Sequence, residues 1–190
     1  MKIRMQLISD AVFGSGESVP GGEDISILSD ENGFPYYKGG TFKGIFREEM
    51  GNYLAWTMPD EKAARAEMDR LLGTGGDHGV RKEDRLVFSD FALSGYVKQQ
   101  ILSETGGNQA DTVLDALSHI RTFTAISPEG IVQEGSLRQC RCINRGLNFY
   151  SELRCSRKDE PLVKEVLSLI KWVGTMRNRG FGKVKLTVIG

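Results

Sequence analysis

The chain has 190 residues, with 25 Lys or Arg against 25 Asp or Glu, so its formal net charge is zero. This length suits one domain over residues 1–190, and the 39% hydrophobic fraction allows a packed core and argues against disorder. Since no apolar run approaches the roughly 20 residues of a membrane span and the three cysteines lack zinc-ligand spacing, we expect a cytoplasmic protein with reduced thiols, no structural zinc and no membrane partner.

The first half of the chain predicts a strand, a long loop and two helices. Residues 2–9 alternate polar and apolar side chains, as a half-buried strand does. The segment 10–40 is rich in glycine, and loops of that length are usually functional or disordered. Helical spacing then predicts a helix that starts with Thr41 as N-cap and runs through Trp56, followed by a second helix that starts at Pro59-Asp60.

The second half alternates predicted strands and helices. Strand-like alternation covers 85–93, 147–155 and 183–189. Weaker helical patterns cover 96–104 and 110–119, and a clear one covers 161–173, where Pro161 occupies the first turn. Cys140 and Cys142 are expected to pack on a strand, and Phe46, Trp56 and Trp172 to lie on apolar helix faces in the core.

The order strand, helix, strand, insertion, strand, helix, strand predicts an α+β domain with the ferredoxin-like (RRM-like) βαββαβ order. A long glycine-rich loop follows its first strand. The insertion covers roughly residues 94–146, between the two central strands. Within the insertion, residues 120–126 and 133–142 predict the two arms of a hairpin around a turn at 127–130.

The charge is unevenly distributed along the chain. Residues 1–116 carry 12 basic and 19 acidic side chains, whereas residues 117–190 carry 13 basic and 6 acidic ones. The last 25 residues contain no acid. Because the local field decides whether a polyanion binds, a neutral total is compatible with RNA binding. The alternative is that the basic half faces the acidic half, or an acidic partner protein.

The first candidate site is the loop-to-helix segment 33–47, GFPYYKGGTFKGIFR. Gly39 and Gly40 allow a ligand to approach the backbone amides, and the helix that follows offers free N–H groups and the positive end of its dipole. Lys43 and Arg47 lie one turn apart and extend that positive surface. Phosphate is the natural ligand of such a site. Taken alone, an ordinary turn before a helix is the simpler interpretation.

The second candidate site is the segment 174–183, GTMRNRGFGK, between the last helix and the last strand. Arg177, Arg179 and Lys183 alternate there with small residues and Phe181. Glycines let a nucleic-acid backbone lie against the chain, and arginines bind phosphates or stack on bases. A glycine-rich turn with solvated arginines is the alternative, but the density of Arg, Gly and Phe favours RNA. The glycines beside Phe181 are expected to leave its ring accessible.

These segments resemble the RAMP superfamily, the repeat-associated subunits of CRISPR effector complexes. The family's "GxPYIPGSSLKGxxR" is similar to residues 33–47, and its "GGxRSRGFGxV" is similar to residues 174–184. Further family motifs resemble LVFSDFA at 86–92, RTFTAI at 121–126 and GLNF at 146–149. The resemblance covers nearly the whole chain in the right order.

Within the superfamily, the chain looks most like the backbone (Csm/Cmr-type) subunit of type III effectors, because the loop 13–24, FGSGESVPGGED, ends at Asp24. The resemblance implies binding of guide RNA and complementary target RNA, beside copies of itself and other effector subunits. It also implies that Asp24 makes the complex a metal-dependent endoribonuclease. A carboxylate suits this role because it binds Mg²⁺ or another divalent ion, or orients a 2′-hydroxyl. Glu23 is the fallback, and a solvated acidic loop is the alternative.

The resemblance also implies a thumb-like role for the hairpin that begins at Arg121. It would displace one nucleotide at regular intervals, with Ile126, Ile131 and Val132 as an apolar wedge. The complete predicted RNA-binding set follows: Gly39, Gly40, Thr41, Lys43, Arg47, Arg121, Ile126, Arg177, Arg179, Gly180, Phe181, Gly182 and Lys183.

Three other functions stay open on the sequence. One is a non-catalytic subunit that caps one end of the guide RNA. Another is a repeat-RNA processing endoribonuclease, for which the chain offers His78, expected in an exposed loop, and His119, expected near a helix end. The third is a ferredoxin-like domain that binds a small phosphorylated metabolite in a closed pocket.

Overall fold

Two antiparallel sheets and five α-helices build the described part of the chain in this computed structural model, which comprises residues 1–17, 23–74, 85–105 and 110–189. The elements in chain order are β1 (Lys2–Leu7), α1 (Gly39–Thr57), α2 (Glu61–Leu72), β2 (Val87–Phe88), α3 (Gly95–Glu104), α4 (Ala110–Leu117), β3 (Ser118–Phe123), β4 (Arg138–Ile143), β5 (Asn148–Arg154), α5 (Glu160–Leu169), a 3₁₀ turn (Arg177–Arg179) and β6 (Val184–Ile189). Residues 18–22 of the predicted glycine-rich loop and His78 lie outside the described residues.

The larger sheet has four strands in the order β2-β5-β1-β6. β1 runs antiparallel to both neighbours, so that Ile3 lies opposite Ser151 of β5 and Val188 of β6. Ile3, Met5 and Leu7 are buried, which is the alternation expected of a strand with one face on the core. The mixed α+β class that the sequence predicts is therefore confirmed.

Helices α1 and α5 supply much of the core beside this sheet. In α1 the buried side chains recur every fourth residue, at Phe42, Phe46, Met50 and Leu54, as an amphipathic helix requires. In α5 the buried set comprises Val163, Val166 and Leu167. α1 also packs against α2 and α5. Within the described ranges, no helix has both the length and the apolar character needed to cross a membrane.

The smaller sheet is the pair β3 and β4, in which Arg121 lies opposite Cys140 and Phe123 opposite Arg138. Beyond it, a bridge joins Ile126 to Val132 around the turn at 127–130. Cys140 and Cys142 are buried, which confirms the predicted packing role. The chain after β1 and the acidic loop attach to β4 through bridges, Ala11 to Ile143 and Ile25 to Cys140.

Several predicted boundaries and core positions differ from the structure. Helix α1 begins at Gly39 with Lys38 as its N-cap residue, so the prediction that Thr41 is the N-cap is wrong. Helix α5 ends at Leu169, since Val173 donates its N–H to the Gly182 carbonyl and has left the helix. The segment 85–93 has regular strand pairing at Val87–Phe88 and bridges further on.

The core prediction holds for Phe46 and is wrong for two tryptophans. Trp56 is 87% exposed, because it lies two residues beyond Leu54 and so points away from the buried stripe of α1. Trp172 lies beyond the end of α5, in a bridge to Lys183, and is 36% exposed.

His119 lies in β3, since α4 ends at Leu117 and the chain continues as a strand.

Candidate nucleic-acid interface

The loop between α5 and β6 depends on glycine at two places for steric reasons. Gly174 and Gly182 both have a φ of 76°. A Cβ at Gly182 would lie 1.9 Å from the Val173 carbonyl oxygen, and one at Gly174 would lie 2.4 Å from the Val12 carbonyl oxygen. Gly174 lets the loop pack directly on the chain that leaves β1, and Gly182 lets the two ends of the loop approach each other. They therefore position the arginines between them.

Two arginines and two phenylalanines join this loop to β3. The Arg121 guanidinium lies 5.2 Å from the centre of the Phe181 ring, and that of Arg179 lies 5.4 Å from the centre of the Phe123 ring. The two rings meet edge to face at 5.9 Å. Such cation–π and aromatic contacts hold both guanidinium groups in place.

Phe181 is 3% exposed, so the expectation that its ring is accessible is wrong. Its glycine neighbours leave space locally, but β3 covers the ring through Arg121 and Phe123. Phe181 therefore supports the arginines and offers no face to an RNA base.

A polar pocket of about 220 Å³ opens on one side of this arginine–phenylalanine cluster. Arg121, Arg145, Arg179 and Asp10 line it. Asp10 accepts a hydrogen bond from the Arg145 backbone N–H at 3.1 Å. Sequence reasoning missed Asp10 and Arg145, and the signal that was present is the position of Arg145 directly before the GLNF motif.

A cleft of about 640 Å³ opens on the other side of Arg179. Asp24, Arg138 and Asn178 contribute to its lining. The Asp24 side chain is 41% exposed; its Oδ2 accepts the Gln139 N–H at 2.7 Å, and its Oδ1 lies 3.8 Å from an Arg138 guanidinium nitrogen. The structure thus brings Asp24 and Arg179 to the same cleft.

Glu23 faces a different group of side chains from its neighbour Asp24. Its carboxylate accepts a hydrogen bond from Arg141 Nε at 2.6 Å, and Arg141 also binds Asp115 at 2.6 Å. Burial of Arg141 lowers its pKa, but the hydrogen bonds to Asp115 and Glu23 outweigh it and leave that pKa raised. A carboxylate held in this way is a poor fallback for Asp24.

The described residues contain no group of three His, Cys, Asp or Glu side chains that could hold a metal ion. Asp24 offers one partly exposed carboxylate. Mg²⁺ is often bound through one or two carboxylates together with substrate phosphates and water. Asp24 is therefore the acidic residue in the lining of this cleft that could hold such an ion.

The start of α1 is only partly available to a ligand. The Gly39 N–H donates to the Asp90 carboxylate at 2.8 Å, and a Cβ at Gly39 would lie 2.4 Å from the Phe88 carbonyl oxygen. Gly40 has no neighbouring atom within 4 Å of such a Cβ, and Thr41 is exposed. An anion would reach the later amides of the first turn and not that of Gly39.

Lys43 and Arg47 line neither the polar pocket nor the Asp24 cleft. The Arg47 guanidinium donates to the carbonyls of Leu72, at 3.1 Å, and Gly73, at 2.6 Å. Burial lowers the pKa of Lys43, and the nearby charges of Arg47 and Arg85 lower it further. Arg47 therefore ties α1 to the end of α2.

Four further predicted residues are exposed, namely Ile126, Arg177, Gly180 and Lys183, and of these only Gly180 lines the polar pocket. Arg177 begins the 3₁₀ turn, and Gly180 ends it in the left-handed region. Lys183 lies with its Nζ 5.9 Å from the centre of the Trp172 ring. At the hairpin tip, Ile126, Ile131 and Val132 are each exposed over more than half of their surface. Three exposed aliphatic side chains at one tip are available to a partner.

Comparison with known proteins agrees with this architecture. The model of the RAMP superfamily matches residues 4–185. A chain of the type III-B Cmr-beta complex bound to cognate target RNA is similar in structure, with a TM-score of 0.68, 15% identity, and coverage of 97% of this chain and 95% of that one. A chain of the same type of complex in its apo state gives a TM-score of 0.64, 16% identity, and coverage of 98% and 95%. No curated protein sequence matches the chain.

Proposed function

The chain belongs to the RAMP superfamily, and from this we propose that it is a guide-RNA-binding backbone subunit of a type III CRISPR interference complex. The observation that carries the proposal is the position of Arg179, which lines both the polar pocket and the Asp24 cleft. The fold similarity to chains of type III-B complexes, one of them bound to cognate target RNA, supports the type III assignment.

We also propose that the chain contains a ferredoxin-like unit, which consists of β1, α1, β2, β5, α5 and β6. The sheet order β2-β5-β1-β6 with antiparallel neighbours supports it. The elements from α3 to β4 then form an insertion between the second and third strands of this unit. The insertion carries the hairpin that faces the loop 174–183.

In this proposal, guide RNA binds along a row of arginines on β3, on β4 and in the loop 174–183. Arg121 and Arg179 share the lining of the polar pocket, and Arg179 and Arg138 share that of the Asp24 cleft. Guanidinium groups bind phosphates through charge-assisted, often bidentate hydrogen bonds. The chain would hold the guide backbone without reading its sequence, because base pairing to the target provides the specificity.

Target cleavage is assigned in this proposal to the Asp24 cleft. The exposed apolar tip of the hairpin, with Ile126, would push between guide and target and unstack one nucleotide. Asp24 would then orient the adjacent 2′-hydroxyl and accept its proton as the 2′-oxygen bonds to the phosphorus, while the bond from phosphorus to the 5′-oxygen breaks and that oxygen leaves with a proton from water. A divalent ion, which Asp24 would help to hold, would neutralise the charge that develops in this reaction.

A binding-only subunit that caps the guide RNA is the second candidate. It is favoured by the bond from Gln139 N–H to the Asp24 carboxylate, which gives Asp24 a role in fastening the acidic loop to β4. In that case Asp24 would be structural, and the arginine row alone would carry the function.

Assembly on guide RNA separates these two candidates. A backbone subunit repeats along the strand, so sedimentation of the chain with guide RNAs of increasing length should show multimers whose number rises with length. Partners in the full assembly would include copies of this chain and other effector subunits. A single bound copy at every length would contradict the backbone assignment and favour the cap.

A further inference from the structure

The polar pocket contains one acid, Asp10, and its other charged lining residues are all arginines. Arg121, Arg145 and Arg179 line it together with Asp10. The negative charge of an acid opposes phosphate binding, so an acid in an anion-binding pocket calls for a separate role. Its contacts show which of its atoms are occupied and which are not.

The two oxygens of the Asp10 carboxylate differ in their contacts. Oδ1 accepts the Arg145 backbone N–H at 3.1 Å, and this bond fixes the carboxylate. Oδ2 lies 3.6 Å from Nε2 of His119 and 3.9 Å from a guanidinium nitrogen of Arg121, distances longer than a hydrogen bond. Because neither of these two ion-pair contacts is a hydrogen bond, both Oδ2 and the Arg121 donors stay available to a ligand.

We propose that this pocket takes one ribose-phosphate unit of the bound RNA, with the arginines on the phosphate and Asp10 Oδ2 accepting a hydrogen bond from the 2′-hydroxyl. The inference rests on the proposed function and adds a residue that selects RNA over DNA. The 2′-hydroxyl is the donor that deoxyribose lacks, and a carboxylate is an acceptor without donors of its own. A pocket lined by three arginines and one aspartate matches those two parts of a ribonucleotide.

The walls of the pocket are already ordered for such a ligand. Arg121 and Arg179 lie on the rings of Phe181 and Phe123, so binding removes little side-chain freedom. Gly180 also lines the pocket, and no atom lies within 4 Å of the place where its Cβ would be. The strand therefore has room to pass over the loop at this point.

The test measures the affinity of the full chain for three single-stranded probes of guide length and identical base sequence. They are an RNA, a DNA that contains deoxyuridine, and a 2′-fluoro RNA. Wild type should bind RNA about tenfold or more tightly than the other two, as expected for a hydrogen bond to a charged group. Asp10→Ala should bring the RNA-to-DNA ratio close to one. Asp10→Asn keeps an acceptor oxygen and should retain most of the preference.

The matched control is Arg145→Gln, which should weaken RNA and DNA binding by the same factor because it removes a phosphate contact. Unchanged discrimination in a folded Asp10→Ala variant would overturn the inference and leave RNA binding intact. Binding of neither nucleic acid by wild type would overturn the proposed function as well. If Asp10→Ala does not fold, wild type decides alone: equal affinity for 2′-fluoro RNA and RNA overturns the inference, and a DNA-like affinity supports it.

Discussion

Arg179 holds its guanidinium 5.4 Å from the centre of the Phe123 ring, and this contact fixes the side chain that separates the polar pocket from the Asp24 cleft. Phe123 belongs to β3, and Arg179 belongs to the loop between α5 and β6. The relationship therefore joins two segments that are far apart in sequence into one surface. Its consequences for RNA binding, stability and cleavage can each be measured.

The first prediction concerns the salt dependence of RNA binding. Replacing Arg121, Arg138 and Arg179 by Gln should weaken guide RNA binding almost regardless of sequence, because phosphate contacts carry no base information. On single-stranded RNA, the slope of log affinity against log salt should flatten by roughly 0.7 for each phosphate that is no longer neutralised. Fluorescence anisotropy across a salt series provides the measurement.

The control for this triple variant is a set of three exposed basic residues elsewhere, Lys62, Arg65 and Arg154, also changed to Gln. Both variants lose the same formal charge, so a general field effect would flatten the slope equally in both. Equal slopes in the two variants would reject the arginine row as the RNA site.

The second prediction concerns the two glycines that flank Phe181. Gly182→Ala should destabilise the fold strongly, because the new Cβ would lie 1.9 Å from the Val173 carbonyl oxygen at a φ of 76°. Gly180→Ala has a φ of 84° but open space, so it should cost only the left-handed strain of about 1–2 kcal/mol. Urea unfolding of both variants measures the difference. Equal costs would show that the loop packs differently.

The third prediction concerns the Arg70, Glu67 and Asp159 cluster between α2 and the start of α5. Hydrogen bonds from Arg70 hold the pKa of both carboxyl groups below their usual values. A carboxyl group with a lowered folded-state pKa stabilises the fold above its unfolded-state pKa, and this stability disappears as pH falls through the folded-state pKa. The free energy of unfolding should thus decrease as the pH drops below about 4, which is near the ordinary pKa range of carboxyl groups.

Arg70→Met should make that decrease smaller, since the two carboxyl groups would then titrate closer to their unfolded values. Lys164→Met is the matched control, because its ion pair with Glu160 is exposed on α5. Urea unfolding between pH 7 and pH 3 measures both. An Arg70→Met profile as steep as wild type would assign the acid sensitivity to other groups.

Much of the frame was predictable because it depends on local periodicity. The stripe Phe42, Phe46, Met50 and Leu54 predicts α1, and the alternation Ile3, Met5 and Leu7 predicts β1. These patterns record which side of an element meets the core. They fail at element ends, where tertiary contacts decide, as with Asp90 at the first turn of α1.

The candidate site was less predictable because its residues meet only through the fold. The bond between Asp10 and the Arg145 N–H joins residues 135 positions apart. No local pattern marks Asp10, and Arg145 is marked only by the GLNF motif that follows it. Phe181 was misjudged for the same reason, since its cover is supplied by β3, and Arg47 because its acceptors belong to the end of α2.

The last prediction separates catalysis from binding at Asp24. In an assembled complex, Asp24→Ala should abolish cleavage of complementary target RNA while guide binding and assembly persist, because only one partly exposed side chain is removed and the backbone bond from the Asp24 N–H to the Gln139 carbonyl remains possible. Asp24→Asn also keeps an acceptor for the Gln139 N–H, so a loss of cleavage in both variants indicates a need for the charge. Glu165→Ala, an exposed acid on α5, is the control and should cleave normally. Wild-type cleavage by both Asp24 variants would place the nuclease elsewhere, and failure of Asp24→Ala but not Asp24→Asn would make Asp24 the structural link between the acidic loop and β4.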